Sequence, residues 1–298
     1  MFASLTLLQK TAIFPRAVAS LLAQNGDWAE PRQLARQSSC HVWQWQTTSP
    51  ILASLKTELT QLLQTDKAQG LVDYVIYEAP QAPDIKLAVF DMDSTLIQAE
   101  VMDQLAYAAG IGDQVAAITA SAMAGEIDFQ QSFKRRLGLL KDFDCTELES
   151  IYQRIDLMPG AERLMQNLAK QGVHCVILSG GFSYFADRFA TRLGMQEAHS
   201  NPLEQVDGKL TGAISVSILD AERKLELLHQ IRERYGWQVE QTMAVGDGAN
   251  DLPMLGAAGL GMAFHAKPLV IEQAPHHISN FGLDGLLYVM GLSDSELL

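Results

Sequence analysis

Two carboxylates, Asp91 and Asp93, stand one residue apart at the end of the apolar run Lys86-Leu-Ala-Val-Phe90. The run reads as a buried strand. Two like charges at a buried strand tip are costly unless a cation or a shared proton accompanies them. A metal ion held by one carboxylate removes that cost, and a phosphoryl group is a natural ligand for such a metal. Alone, the Asp-x-Asp pair also fits two solvated loop aspartates capping the next turn.

Three further groups belong with the pair. Gly246-Asp-Gly-Ala-Asn-Asp251 follows another apolar run and offers two glycines for a tight turn, the carboxylates of Asp247 and Asp251, and the Asn250 amide. Its plain reading is a polar turn with a helix N-cap and Pro253 near the helix start. Ser179-Gly-Gly181 follows a third run, where a hydroxyl and flexible backbone N–H groups ahead of a helix make an anion cradle or merely a capped turn. Lys224 opens a helical pattern and would pass for a solvated lysine but for its place in the set. Together these are acids for Mg²⁺, donors for phosphate oxygens and one cation for residual charge, a kit for phosphoryl transfer. Asp91 fits the missing nucleophile, since carboxylates form acyl-phosphates.

These residues need a scaffold that aims strand ends at one place. From residue 85 onward strands and helices alternate, which predicts a parallel sheet flanked by helices. Strands are expected at 86–90, 173–178, 242–245 and 260–264, and helices at 161–171, 184–193, 221–235 and 252–258. Ligands of open α/β sheets bind at the carboxyl ends of strands, where all three motifs lie. Two inserts break the rhythm. About sixty residues, 101–158, hold only helical patterns, far more than one crossover needs, and predict a helical cap. Residues 203–218 carry Asp207-Gly208 between alternating runs and predict a hairpin.

The first 78 residues differ in character. Acidic and basic residues balance there, six against six, whereas 81–298 hold 29 acidic and 16 basic residues; three of the four tryptophans, Trp28, Trp43 and Trp45, also fall in the first 80. A strand at 41–46, a helix at 51–64 and a strand at 71–77 make one clear β-α-β unit. The segment 79–84, with Pro80 and Pro83, reads as a linker. A small N-terminal α+β domain, regulatory or serving a homodimer, is expected.

The net charge of −13 argues against nucleic acid or an anionic membrane as partner. No run reaches the roughly 18 apolar residues that span a bilayer, and the apolar start lacks the basic residues of a signal peptide. Cys40, Cys145 and Cys175 are odd in number and far apart, so neither a disulfide framework nor a zinc site is suggested. Free thiols fit a reducing cytoplasm.

In this order the four motifs, Asp91-Met-Asp-Ser-Thr95, Ser179-Gly-Gly181, Lys224 and Gly246-Asp-Gly-Ala-Asn-Asp251, resemble those of the haloacid dehalogenase (HAD) superfamily of phosphohydrolases. The likeness covers about residues 85–285, and within the superfamily it is to the phosphoserine phosphatases. The resemblance implies a doubly wound, Rossmann-like parallel-sheet core carrying the cap and the hairpin. It also implies double displacement: Asp91 attacks phosphorus, and Asp93 protonates the leaving serine oxygen and then activates water. Mg²⁺ would be held by Asp91, Asp247 and the main-chain carbonyl of Asp93. Ser179, Gly180 and Lys224 would hold phosphoryl oxygens, with Asn250 and Asp251 in support. Glu100 would take the substrate amine and Arg136 its carboxylate, with Met123 and Phe129 lining the cap. Arg135 is the rival for the Arg136 role, since a helix turns only one of the two inward. A phosphatase for another small metabolite, or a phospho-aspartate receiver on the same scaffold, are the alternatives. Many superfamily members carry ferredoxin-like amino-acid-sensing domains at this end, but residues 1–78 offer no motif for one.

Overall fold

The computed structural model describes residues 1–37 and 40–298. In chain order the elements are β1 (Phe2–Gln9), α1 (Arg16–Gln24), β2 (Arg32–Arg36), β3 (His41–Thr47), α2 (Ala53–Ala68), β4 (Val72–Ala79), β5 (Leu87–Phe90), α3 (Val101–Ala108), α4 (Gly112–Met123), α5 (Phe129–Leu139), α6 (Glu147–Arg154), α7 (Ala161–Lys170), β6 (His174–Phe182), α8 (Ser183–Leu193) and β7 (Glu197–Asn201). There follow β8 (Gln205–Val206), β9 (Lys209–Leu210), α9 (Ala221–Tyr235), β10 (Thr242–Gly246), α10 (Leu252–Ala257), β11 (Leu260–Phe264), α11 (Pro268–Gln273), β12 (His276–Ile278) and α12 (Gly285–Val289).

The large sheet has the order β12-β11-β10-β5-β6-β7, and every neighbouring pair is parallel. Leu87, Ala88, Val89 and Phe90 of β5 are all fully buried, because helices cover both faces of a parallel sheet. The chain leaves β5 toward β6 and β7 on one side, then returns to build β10, β11 and β12 on the other. The carboxyl ends of β5, β6 and β10 therefore flank the point where strand order reverses, which is where crevices open in such sheets.

Helices α3 to α6 form the insert between β5 and β6. Its base is closed by the bridge between Ile97 and Leu157, with Met158 N–H donating to the Leu96 carbonyl at 2.8 Å. The expected hairpin is present but short. Asp207 and Gly208 both have positive φ (50° and 76°), the turn an Asp-Gly pair favours between right-twisted strands. Only β8 and β9 are paired strands; the remainder of 203–218 lacks a ladder. The hairpin is pinned to the cap by Cys145 N–H on the Gly208 carbonyl and Leu210 N–H on the Phe143 carbonyl, each at 2.9 Å.

The N-terminal region holds more than the one β-α-β unit read from sequence. Its order is β-α-β-β-α-β, with the antiparallel sheet β2-β3-β1-β4, a ferredoxin-like arrangement. Leu5, Leu7 and Trp45 pack against α1 and α2 on one face. Leu8, Val42, Val75 and Tyr77 of the other face merge with the core of the large sheet. The two sheets are fastened by Asp73, fully buried, which accepts from Ser279 N–H (2.9 Å) and from Asn280 N–H (2.7 Å). Among the described residues no helix is long and apolar enough to cross a membrane.

Candidate active site

Asp91 follows the last residue of β5, and its N–H donates to the Val245 carbonyl of β10 at 2.9 Å, so the strand tips stay locked together. Lys224, in the first turn of α9, reaches between the carboxylates. Its Nζ is 2.7 Å from Asp91 Oδ1 and 2.7 Å from Asp251 Oδ1, and the lysine has no exposed surface. Burial opposes the lysine's charge, but Asp251 and Asp91 outweigh it and hold the ammonium protonated, above the ordinary lysine range. Two of its three N–H donors are thus committed, and one is left for a ligand.

Asp251 is committed as well, since its Oδ2 accepts from Gly248 N–H at 3.0 Å. Gly246 must be glycine: a Cβ there would sit 2.4 Å from the Asp251 carboxyl carbon. Asp91 and Asp247 are differently placed. Among the described residues the Oδ2 of Asp91 has no hydrogen-bond donor, and Asp247 receives only the Thr95 hydroxyl, at 3.3 Å. One ligand oxygen from each of Asp91, Asp247 and Asp251 lies within 4.8 Å of the other two. Burial, with the neighbouring carboxylates, pushes Asp91 up to about 8 and Asp247 up to about 7. Hard oxygen donors that are expensive to ionise without a cation fit Mg²⁺, and the uncommitted oxygens on Asp91 and Asp247 mark its side of the cluster.

Asp93 is held apart from this group. Its Oδ1 accepts from Val101 N–H at 3.0 Å, at the start of α3. Its Oδ2 faces Gly181, where a Cβ would come within 2.7 Å of it and 3.1 Å of Ser179 Oγ. Burial first, then the charges of Glu100 and Asp91, drive the Asp93 pKa well above the usual carboxylate range. Surroundings that favour the neutral form of Asp93 are the setting a general acid needs.

The Ser179-Gly180-Gly181 loop, the candidate phosphate cradle, forms where β6 loses its ladder. Val176 to Leu178 pair with Glu197 to His199, and pairing resumes only at Phe182 with Asn201. Residues 179–181 bulge out in between. Ser179 is fully buried, and its Oγ accepts from Gly181 N–H at 2.9 Å, which leaves its own O–H free to donate.

The cap supplies the remaining candidates. Ser94, at φ 54°, donates its hydroxyl to Glu100 Oε1 at 2.7 Å, so an uncommon left-handed residue orients this carboxylate. Arg136 is half-buried on α5, while Arg135 is exposed. Burial lowers the Arg136 pKa, opposed by the charges of Asp103 and Glu100, which face it from the start of the cap. Phe129 is 39% exposed, and its ring tip would lie 3.5 Å from a Cβ on Gly180, so it overhangs the cradle. Met123 differs from its expected place lining the cap. It ends α4 with 73% of its surface exposed, because the loop that follows carries the chain into solvent. Asn250 lies at the turn after β10, its Oδ1 against Gly248.

Three residues near the site escaped the sequence reading: Thr95, Ser94 and Asn201. Thr95 and Ser94 lay inside the first motif, and their hydroxyls were the available signal. Asn201, an amide ending a strand one residue before Pro202, gave none.

Residues 85–259 match the haloacid dehalogenase-like hydrolase family. The chain is 44% identical over 212 residues to phosphoserine phosphatase SerB2 of Mycobacterium tuberculosis, a match covering 71% of this chain and 52% of that protein. It is 44% identical over 229 residues to the phosphoserine phosphatase of a Polaromonas species, covering 75% of this chain and 97% of that one. Among solved structures, a HAD-family hydrolase of Salmonella enterica serovar Typhi superposes with a TM-score of 0.86 at 30% identity, over 97% of this chain and 98% of the other. The chain thus spans about half the length of the Mycobacterium relative and nearly the whole of the other two.

Proposed function

The chain belongs to the haloacid dehalogenase-like hydrolase family, and from that premise we propose that it hydrolyses O-phospho-L-serine to L-serine and phosphate with the aid of Mg²⁺. The observation that carries the reaction class is Asp91. It is an ion-paired carboxylate with one uncommitted oxygen at the tip of the central strand, beside an Asp93 whose burial and neighbouring charges favour its neutral form. Support for the substrate comes from the relative matched over 97% of its length, a phosphoserine phosphatase, and from Glu100 and Arg136 in the cap.

A carboxylate oxygen of Asp91 attacks phosphorus in line while Asp93 gives its proton to the departing serine oxygen. The bond from phosphorus to that oxygen breaks as the aspartyl-phosphate forms. Asp93, now ionised, takes a proton from water as the water attacks phosphorus, which frees phosphate and returns both aspartates to their first states. The Ser179 hydroxyl, Gly180 N–H and the third Lys224 donor bind phosphoryl oxygens throughout. Asp91, Asp247 and the Asp93 main-chain carbonyl are the ligands proposed for Mg²⁺, whose charge, when bound, lowers the repulsion between phosphoryl oxygens and the carboxylates. Arg136 grips the substrate carboxylate bidentately and Glu100 takes the ammonium, so a zwitterion is selected. Three free cysteines are in keeping with a reducing cytoplasm.

A phosphate-release screen with Mg²⁺ on phosphoserine, phosphothreonine and sugar phosphates tests the proposal. Preferred turnover of phosphoserine is expected. Equal turnover of all three would remove the substrate assignment, and a single, unreleased phosphoryl group per chain would remove the enzyme assignment.

A further inference from the structure

We propose that Asn201 is a positioning residue for the phosphate cradle, coupling the Ser179-Gly180-Gly181 loop to the segment that delivers Lys224; this rests on the phosphatase reading above. The bulge in β6 sets three residues, 179–181, against the single Ser200 on β7. A bulge leaves backbone groups without ladder partners, and a buried carbonyl without a donor is costly. Asn201 supplies the donor: its Nδ2 lies 2.8 Å from the Gly180 carbonyl. Its Oδ1 meanwhile accepts from Leu219 N–H, also at 2.8 Å. The side chain is 1% exposed, so neither contact is shared with bulk water.

Both partners lead directly into the site. The peptide plane whose carbonyl Asn201 holds joins Gly180 to Gly181, and its N–H is the one donated to Ser179 Oγ, so the same contact braces the loop and the hydroxyl it presents. Gly180 also packs closely on the far segment, since a Cβ there would lie 3.5 Å from the Leu219 carbonyl. Leu219 immediately precedes Asp220, the N-cap of α9, whose carboxylate accepts from Arg223 N–H at 3.1 Å. Lys224 follows one residue later. One amide therefore sets the distance between the cradle and the cation that act on the same phosphoryl group.

The residue type is specified by the two contacts. One atom must donate and the other accept, from a short side chain. Aspartate keeps the acceptor toward Leu219 but turns a second, anionic acceptor on the Gly180 carbonyl. Alanine abandons both groups.

Asn201→Asp and Asn201→Ala should lower kcat about tenfold to a hundredfold, the scale of a small misplacement in an aligned site. They should weaken inhibition by inorganic phosphate by a factor of at least about ten on the same grounds, while inhibition by L-serine, which the cap binds, stays within about twofold. A merely structural role lowers the melting temperature and the fraction of active protein but leaves both inhibition constants alone. Parallel weakening of phosphate and serine inhibition, or unchanged kcat per folded site, would overturn the proposal. Each assay is repeated with an aryl phosphate. Wild type that cleaves only the aryl ester sinks the substrate reading, while the phosphate inhibition still reports on Asn201. A measurement on the wild type needs no variant to fold. Leu219 N–H lies in an irregular segment with Asn201 as its acceptor, and should exchange with solvent more slowly than Ser217 N–H, and more slowly again with vanadate bound. Exchange as fast as at Ser217 would also overturn the proposal.

Discussion

Lys224 Nζ lies 2.7 Å from Asp91 Oδ1, although the two residues are 133 positions apart in the chain. The same nitrogen bridges to Asp251, so the lysine is the charge that makes two buried carboxylates tolerable. Removing one partner of a buried ionic group strands the others, at a cost of about 3–5 kcal/mol. Lys224→Met should therefore melt early and lose activity by at least about a thousandfold. Adding Asp251→Asn to Lys224→Met should recover part of the stability and none of the turnover. Recovered turnover in the double variant would show that Lys224 serves the fold and not the chemistry.

In the proposed mechanism Asp93 and Asp91 divide the work, and the leaving group can separate their roles. Serine alkoxide needs a proton to depart, but an aryl oxide does not. Asp93→Asn should be nearly inert on phosphoserine, yet release one equivalent of aryl alcohol per site in a burst before stalling as the aspartyl-phosphate, because no base remains to activate water. Rapid-mixing absorbance and intact mass read the two halves. Steady turnover without a burst would reassign the base.

Arg136 and Arg135 are neighbours with opposite exposures, so they make an internal control. Arg136→Ala should raise KM for phosphoserine strongly, by the several kcal/mol of a lost bidentate charged pair, and spare an aryl phosphate. Arg135→Ala should change neither. Equal losses on both substrates for Arg136→Ala would place this residue in the cap fold rather than on the substrate.

Why the candidate-site motifs could be read from the sequence and parts of the scaffold could not follows from how each is built. Strands β5, β10 and β11 are buried on both faces, so their sequences are short unbroken apolar runs, and the motif residues stand at their ends. Strand β2 carries arginines at both ends, and a register shift between Gln33 and Ala35 places Leu34 and Ala35 side by side, destroying the alternation that marks a strand. Strand β7, Glu-Ala-His-Ser-Asn, is a polar sheet edge, and β12 has three residues. These elements exist through tertiary pairing, which no local pattern encodes. Asn201 was invisible for the same reason, since its partners at Gly180 and Leu219 lie 21 and 18 residues away.

Protons and metal compete for the same oxygens. Burial and neighbouring carboxylates lift Asp91 to about 8 and Asp247 to about 7 without a cation, and a divalent ion needs both ionised. Mg²⁺ affinity should rise with pH between about 6 and 8, with protons released on binding. Both pKa values lie above those of an unfolded aspartate, so the metal-free fold binds more protons than the unfolded chain. Its stability falls as pH rises through this window, and Mg²⁺ should offset the loss. Calorimetric titration in two buffers of different ionisation heat measures the release. A heat independent of buffer would show that these carboxylates are already ionised or do not bind the ion.

The seam between the two sheets has the opposite pH response. His276 of β12 faces Tyr77 of β4, with ring centroids 6.2 Å apart. Burial, reinforced by the charges of Lys56 and His277, pushes the His276 pKa down to about 4. His277 accepts a hydrogen bond from the Lys67 ammonium of α2, and burial together with that charge pushes it down to about 4 as well. An unfolded histidine titrates near 6.5, so between about 4 and 6.5 the unfolded chain binds more protons and the fold loses stability as pH drops. Each histidine contributes a slope of at most about 1.4 kcal/mol per pH unit inside that window. Urea unfolding across this range should show a wild-type slope that His276→Gln reduces by about one proton's worth, with little change near neutral pH. A variant whose slope matches wild type would mean that His276 is free to protonate in the folded state, and that acid weakens the seam by some other route.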